Sequence, residues 1–274
     1  MVGVGGATLG GSYKTPLVLA LARALAERGE RAAVVAHGYG SERSFEPRCV
    51  GPRDSAKSVG DDAFWLFGEL SPLGVPVVVG GDRSAALALG ASLSPRLIVD
   101  GLLQAEPRRL ALSVLAVDAA RPWGAGQCPP AGDLRAPRAS LLAAADVVVR
   151  VVPEYAASVA SPRPEPSLDA GSCTVVDVAS ALLGATSPEG ELVSLASLAG
   201  RSIGVVLAIA RPDRVLASLA AVPPPPWRVD AGRCLAHHVE VRNENGVGLR
   251  GRTGARIRPP AHGPSGAAGR RDSE

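Results

Sequence analysis

Apolar residues recur along this chain in two alternating patterns: short runs as long as a buried strand, and longer stretches with helical spacing. Strands that alternate with helices in this way are typical of a parallel sheet flanked by helices. Strands are predicted at Met1–Val4, Arg31–Ala36, Val75–Val79, Leu97–Val99, Leu112–Val117, Val147–Val152, Cys173–Val178 and Ser202–Ile209, and helices at Leu17–Arg28, Asp61–Leu70, Arg83–Leu89, Ala139–Ala145 and Asp213–Ala221. The pattern therefore predicts an α/β fold.

The pattern weakens at two places, which suggests four parts. Residues 1–152 form the predicted core, and residues 153–170, rich in Pro, Ser and Glu, form a linker or surface loop. Residues 171–241 are predicted to be a smaller, incomplete C-terminal α/β domain. Residues 242–274 contain mainly Gly, Arg, Pro and Ser with no apolar face, which predicts a disordered basic tail.

Composition and charge exclude several classes of protein. Apolar residues make up 46% and charged residues 20%, which excludes disorder for most of the chain. The net charge is +3, but residues 242–274 alone carry +4, so the remaining chain gives no reason to propose a nucleic-acid partner. No apolar run approaches the ~18 residues needed to span a bilayer. The four cysteines form no CxxC pair, which argues against a metal or disulfide framework and fits a reducing cytoplasm.

A glycine-rich stretch between the first strand and the first helix carries the candidate chemistry. Small residues let backbone N–H groups turn toward a phosphate, a Lys binds the β- and γ-phosphates, and a Ser or Thr hydroxyl binds Mg²⁺. Lys14 and Thr15 fit the last two roles, and Lys14 is one of only two lysines beside 27 arginines. Tyr13 stands where a glycine normally precedes the Lys, and a positive φ there would strain it. The alternative is an ordinary glycine-rich turn with a solvated Lys.

This stretch resembles the phosphate loop of the tetraacyldisaccharide 4'-kinase family, the lipid A 4'-kinases. Gly5–Pro16 follows the family pattern Gly-Asn-Leu-Thr-Val-Gly-Gly-Thr-Gly-Lys-Thr-Pro, which also has Thr at the position of Thr8. Further segments match the family in the same order and spacing: His37–Gly40, Val59–Ala63, Val75–Arg83, Ile98–Gln104, Arg121–Gly124, Pro130–Pro137, Ala208–Arg214 and His237–His238. The resemblance covers about residues 2–238 and implies a P-loop kinase core over residues 1–152.

The chain departs from the family pattern at several positions. Tyr13 replaces Gly, His37 replaces Arg, Gly101 replaces the second of two adjacent Asp, and Ala236 replaces an Asp. The family also has a hydrophobic segment upstream of the loop and further elements beyond the paired histidines. The hypothesis that follows is a truncated or frameshifted family member.

The resemblance implies an ATP-dependent transfer of phosphate to the 4'-hydroxyl of a lipid A disaccharide precursor, with Mg²⁺ as cofactor. It assigns Asp61 as the catalytic base and His237 as the partner that orients it. It assigns Thr15 and Asp100 to the metal. The implied nucleotide-binding residues are Thr8, Leu9, Gly10, Gly11, Ser12, Tyr13, Lys14 and Thr15.

Each of these residues also has a purely structural interpretation. Asp61 is suited to capping the following helix, and Asp100 to a turn at a strand end. His237 and His238 would then be a surface pair. Arg121 and Arg135 would either meet a substrate phosphate or lie on a solvated face.

Two other functions compete with the kinase. A pseudokinase or gene remnant would keep the fold without turnover, as the departures at Tyr13, Gly101 and Ala236 suggest. A partitioning-type P-loop ATPase would carry its signature Lys at position 9, which is Leu9 here. A lipid substrate implies a cytoplasmic protein in peripheral contact with the inner face of the membrane, and the sequence makes no prediction of oligomeric state.

Overall fold

An eight-stranded, mostly parallel sheet runs through the structure, which is a computed structural model. The residues it describes are 1–38, 41, 46–101, 110–153, 173–182, 184–186, 192–194, 201–207, 209–221, 227–234, 241–242 and 248–249. The strands of this sheet are β1 (Val2–Gly6), β2 (Ala33–Ala36), β3 (Arg48–Cys49), β4 (Val77–Val79), β5 (Leu97–Asp100), β6 (Leu112–Asp118), β7 (Val147–Pro153) and β8 (Thr174–Ser180). Their spatial order is β3-β4-β2-β5-β1-β6-β7-β8, and β3 alone among them pairs antiparallel.

Helices cover both faces of this sheet. They are α1 (Lys14–Glu27), α2 (Ala56–Val59), α3 (Asp61–Leu70), α4 (Arg83–Leu93) and α5 (Arg138–Ala143), with a 3₁₀ turn at Ser71–Leu73. Successive strand residues point to opposite faces. In β2, Val34 and Ala36 therefore pack in one core with α1 and α3, while Ala33 and Val35 pack in another with α4. The near-continuous apolar strands follow from burial on both faces.

Strand order places a crevice beside β1. The chain leaves β1 toward β2 and leaves β6 toward β7, in opposite directions across the sheet. Ligands of open α/β sheets bind at such a switch point, outside the carboxyl ends of the strands. The stretch after β1 and the residue that ends β6, Asp118, both lie at this point.

A second, smaller α/β unit follows the main sheet. Strand β11 (Arg201–Leu207) pairs in parallel with β12 (Trp227–Cys234), and helix α6 (Pro212–Ala221) connects them. Val205, Leu207 and Leu219 are buried in this unit. Two antiparallel ladders of two-residue strands complete the described elements: β9 (Ala185–Thr186) with β10 (Leu192–Val193), and β13 (Val241–Arg242) with β14 (Gly248–Leu249).

The predicted α/β fold is confirmed, with differences at the boundaries. Helix α1 begins at Lys14 rather than at the predicted Leu17, so Lys14 and Thr15 belong to its first turn. Strand β8 pairs with β7, so the main sheet continues beyond the predicted boundary at residue 152. The linker lies almost wholly outside the described residues, as does the tail except for the β13–β14 ladder. None of the helices in the described part of the chain is both long and apolar enough to cross a bilayer.

Candidate active site

The stretch between β1 and α1 ends at an uncapped helix N-terminus. Tyr13 occupies the N-cap position but makes no side-chain capping hydrogen bond, and the first turn of α1 holds no acidic residue. The first N–H groups of a helix have no partner within the helix, and together with the helix dipole they favour an anion. The start of α1 is therefore suited to a phosphate group.

Lys14 and Asp100 meet at this point. Asp100 ends strand β5, which lies beside β1 with Val4 opposite Asp100. The Lys14 ammonium donates a hydrogen bond to Oδ1 of Asp100, and the Asp100 residue is only 2% exposed. Thr15, the next residue of α1, is also buried. The structure thus brings together the predicted phosphate-binding Lys and both predicted metal ligands.

Arg83 adds a second cation to this group. Its Nη2 donates to the backbone carbonyl of Asp100 at 3.0 Å, while its Nη1 is buried and has no hydrogen-bond partner among the described residues. Burial lowers the pKa of the Arg83 guanidinium, an effect that the nearby Asp100 carboxylate opposes. An unpaired buried guanidinium nitrogen is costly unless it gains an acceptor, so this position is suited to a phosphate oxygen.

His37 lies in the electrostatic field of the same cations. Burial, followed by the charges of Arg83 and Lys14, lowers the pKa of His37 below its usual 6.5. This shift favours the neutral imidazole over a further positive charge. The family Arg that His37 replaces would have added one.

Gly101 follows Asp100 in a left-handed conformation, with φ +79°. A Cβ at this position would lie 3.5 Å from Arg83 Nη2 and 3.9 Å from Lys14 Nζ. The second acidic residue of the family pattern would therefore be placed among these cations.

Residues 133–135 form hydrogen bonds with the loop that follows β1. Arg135 Nε donates to the Thr8 carbonyl at 2.9 Å, and Arg135 Nη2 to the Leu9 carbonyl at 3.4 Å. Backbone hydrogen bonds join the same segments: the Leu9 N–H donates to Asp133 and the Arg135 N–H to Ala7. Arg135 therefore braces the loop, whereas Arg121, the other candidate for a substrate phosphate, is exposed.

Tyr13 has the left-handed backbone that makes the position unfavourable for tyrosine. Its φ is 59°, and it is the one non-glycine residue with positive φ in the part of the chain described. The expected strain is therefore present. The ring packs against the guanidinium of Arg214, whose Cζ is 4.6 Å from the ring centroid.

Asp61 begins helix α3 rather than capping it. The N-cap is Gly60, and the Asp61 Oδ1 accepts the N–H of Asp62 at 2.9 Å. The interpretation of Asp61 as an N-cap is therefore wrong by one residue. Because α3 leads into a parallel strand, its N-terminus lies at the carboxyl edge of the sheet, where the loop also lies. His237 falls outside the described residues, so its predicted pairing with Asp61 stays a prediction.

Sequence reasoning gave no role to four residues that the structure brings to the loop. Arg83 lies beside Asp100, while Arg211 and Arg214 contact Asp118 at the end of β6. All four lie in or next to segments that match the family pattern. Apart from this match, the sequence gives no sign that these residues lie at the loop, because Arg and Asp commonly occur at the ends of strands and helices for structural reasons.

Comparison with known proteins identifies the family. Residues 1–238 match the family model for tetraacyldisaccharide-1-P 4'-kinase. Relatives named tetraacyldisaccharide 4'-kinase include one from Chromobacterium violaceum, 36% identical over 80% of this chain and 62% of that protein. Another, from Bradyrhizobium diazoefficiens, is 33% identical over 80% of this chain and 60% of that protein.

A solved structure has the same fold. The crystal structure of LpxK from Aquifex aeolicus in complex with ATP aligns with a TM-score of 0.63 and 19% identity, covering 90% of this chain and 75% of that one. The chain spans about 60% of the length of the two curated relatives above. With most of its length matching the family model, and with the loop, Lys14 and Asp100 in place, this chain belongs to the tetraacyldisaccharide 4'-kinase family.

Proposed function

We propose that this protein transfers the γ-phosphate of ATP to the 4'-hydroxyl of a tetraacyldisaccharide 1-phosphate, a lipid A precursor. The observation that carries the proposal is the ion pair between Lys14, at the uncapped start of α1, and the buried Asp100 at the end of the adjacent strand. Phosphoryl transfer requires mainly positioning and neutralisation of charge, and a Lys and an Asp in this arrangement supply both.

The nucleotide phosphates would be bound by groups already at the start of α1. Backbone N–H groups of residues 10–15 and the Lys14 ammonium would bind the β- and γ-phosphate oxygens. Arg83 Nη1, buried without a hydrogen-bond partner in the described structure, would gain its missing acceptor from the transferred phosphate. Lys14 would then exchange part of its contact with Asp100 for the phosphate oxygens.

Mg²⁺ fits the oxygen donors that are present. Oδ1 of Asp100 accepts from Lys14, and the same carboxylate supplies a second oxygen, Oδ2. Thr15 supplies a buried hydroxyl one residue after Lys14. One carboxylate and one hydroxyl, together with phosphate oxygens, are a donor set that Mg²⁺ commonly uses. Bound there, the metal would neutralise the charge that develops on the phosphates.

Asp61 would accept the proton of the sugar hydroxyl. The oxygen of that hydroxyl forms a bond to the γ-phosphorus, the bond from this phosphorus to the β,γ-bridging oxygen breaks, and ADP leaves. This role is supported by the position of Asp61 at the start of α3, the helix that precedes the parallel strand β4. His237 is proposed to orient Asp61. A lipid acceptor requires the protein to act in peripheral contact with the inner face of the cytoplasmic membrane.

The test is transfer of labelled γ-phosphate to the tetraacyldisaccharide 1-phosphate in mixed detergent micelles. We expect activity in the wild type and a loss of at least about 100-fold in Lys14→Ala and Asp100→Asn. The control is Lys57→Ala, which removes the other lysine of the chain from helix α2 and should keep wild-type activity.

The same assay, together with ATP binding, distinguishes an active kinase from a pseudokinase of the same family. The kinase proposal for the chain as it stands would be refuted by two results together. The wild type would neither transfer phosphate nor bind ATP in the presence of Mg²⁺, and Tyr13→Gly would restore ATP binding.

A further inference from the structure

Residues 210–214, which precede and begin helix α6, pack directly on the phosphate loop. We call this segment the loop clamp. A Cβ built on Gly10 would lie 2.6 Å from Cβ of Ala210, and one on Gly11 would lie 2.8 Å from Cγ of Arg211. Real Cβ atoms essentially never approach another heavy atom that closely. Both glycines are therefore needed where the loop clamp meets the loop.

Two carboxylates anchor the loop clamp, one at the end of β6 and one in the segment between β6 and α5. Asp118, 4% exposed at the end of β6, accepts a hydrogen bond from Arg214 at 2.5 Å and lies 3.6 Å from Arg211. Asp133 accepts from Arg211 at 3.2 Å. A buried carboxylate left without its guanidinium partner is strongly unfavourable. These ion pairs therefore hold the loop clamp in a defined position.

Arg214 connects this anchor to the strained residue of the loop. Its guanidinium is bonded to Asp118 and lies over the ring of Tyr13, a cation–π geometry. Tyr13 is the residue immediately before Lys14, and its left-handed backbone sets the direction in which α1 begins. A continuous chain of contacts therefore runs from Asp118 through Arg214 and Tyr13 to Lys14.

We propose that Arg214 is a positioning residue for nucleotide binding: it holds Tyr13 in the left-handed conformation that aims Lys14 and the start of α1 at the phosphates. A glycine at position 13 adopts this conformation unaided. The dependence on Arg214 is thus a property of a chain with Tyr at this position. This inference rests on the proposed function, because it concerns binding of ATP.

The test is a double-mutant cycle between Tyr13 and Arg214, read as the dissociation constant for ATP with Mg²⁺. In the wild-type background we expect Arg214→Ala to weaken binding about tenfold, which corresponds to the loss of one good cation–π contact. In the Tyr13→Gly background the same substitution should weaken binding by less than about threefold. Arg214→Lys, which keeps the charge but not the planar stacking group, should lie between wild type and Arg214→Ala.

The matched control is Arg150→Ala. Arg150 makes a bidentate ion pair with Asp177, and its side chain is about as buried as that of Arg214. Arg150 lies on β7, however, and its partner Asp177 lies on β8 rather than on the loop. It should leave ATP affinity within about twofold of wild type. Equal weakening by Arg214→Ala in both backgrounds, or equal effects of Arg214→Ala and Arg150→Ala, would overturn the proposal.

A second measurement keeps this inference separate from the proposed function. If the wild type binds no ATP, the proposed function fails, and the Tyr13–Arg214 contact is then tested by the same cycle in the free energy of unfolding. A non-zero coupling would support Arg214 as the group that holds Tyr13. Strict additivity of the two substitutions would overturn it.

Discussion

The left-handed backbone at Tyr13 leads to a prediction about protein stability. We compare Tyr13→Ala with Tyr13→Gly, because both substitutions remove the ring and its contact with Arg214. The two variants then differ only in how well they tolerate a φ of 59°. A left-handed residue with a Cβ costs roughly 1–2 kcal/mol, whereas glycine adopts this conformation freely.

We therefore expect Tyr13→Gly to be more stable than Tyr13→Ala by about 1 kcal/mol, or about 2–4 °C in melting temperature for a domain of this size. Relative to wild type, Tyr13→Gly should change stability by less than about 1 kcal/mol, because relief of strain offsets the loss of a cation–π contact worth roughly 0.5–2 kcal/mol. Urea unfolding followed by circular dichroism measures both differences.

The control is Gly29→Ala, at a φ of +71° with no heavy atom near the added Cβ. It should cost about 1 kcal/mol, since it imposes the same backbone strain in open space. The reasoning at position 13 would be refuted if Tyr13→Ala were as stable as Tyr13→Gly or more stable, which is the order expected at negative φ.

Three further substitutions test other parts of the structure. Asp54→Asn should lower the free energy of unfolding by about 1 kcal/mol at pH 7, because two hydrogen bonds from Arg48 contribute most to lowering the pKa of Asp54 to about 2. This stabilisation is complete above the unfolded pKa near 3.8, so the difference from wild type should disappear as the pH falls from about 4 to 2 in urea titrations. Leu66→Ala, in the core beneath α3, should cost about 2–5 kcal/mol in the same unfolding assay, and a cost below 1 kcal/mol would contradict its complete burial. Gly101→Asp should strengthen ATP binding about threefold with Mg²⁺, because the new carboxylate would add an oxygen donor next to Asp100, a proposed metal ligand, and Asp tolerates positive φ better than most residues with a Cβ. A gain of the same size in EDTA would show that the carboxylate does not act through the metal.

The repeating strand and helix pattern predicted seven of the eight strands of the main sheet, all except the two-residue edge strand β3. Strands β2 and β4, for example, consist only of Val and Ala, because both faces of a buried parallel strand are covered. The helix after the loop was also predicted, but its start was placed at Leu17 because the apolar spacing begins there. The true start at Lys14 is determined by backbone geometry at Tyr13, which leaves no periodic signal.

Strand β12 was not predicted. It contains two arginines, an aspartate and a glycine within eight residues, and it lacks the apolar run that marks the buried strands of the main sheet. Its pairing with β11 follows from the βαβ connection through α6 rather than from its own composition.

From the residues alone, without the family resemblance, the candidate site was predictable only where residues adjacent in sequence act together. The loop with Lys14 and Thr15 is such a segment, and the family resemblance located Asp100 at the end of a separate strand. The contact between Arg214 and Tyr13 joins distant segments, and neither residue type implies the other. Contacts of this kind depend on the packing of α6 against the main sheet, which one sequence does not specify.

The hydrogen bonds that brace the loop also determine which kind of ion it can attract. Four successive carbonyl oxygens, those of Ala7, Thr8, Leu9 and Gly10, accept hydrogen bonds from Arg135 or from the Thr8 hydroxyl. With its acceptors satisfied by the protein, the loop has mainly N–H donors to offer a ligand. It therefore discriminates between ions by sign, favouring anions over cations before any phosphate-specific contact is made.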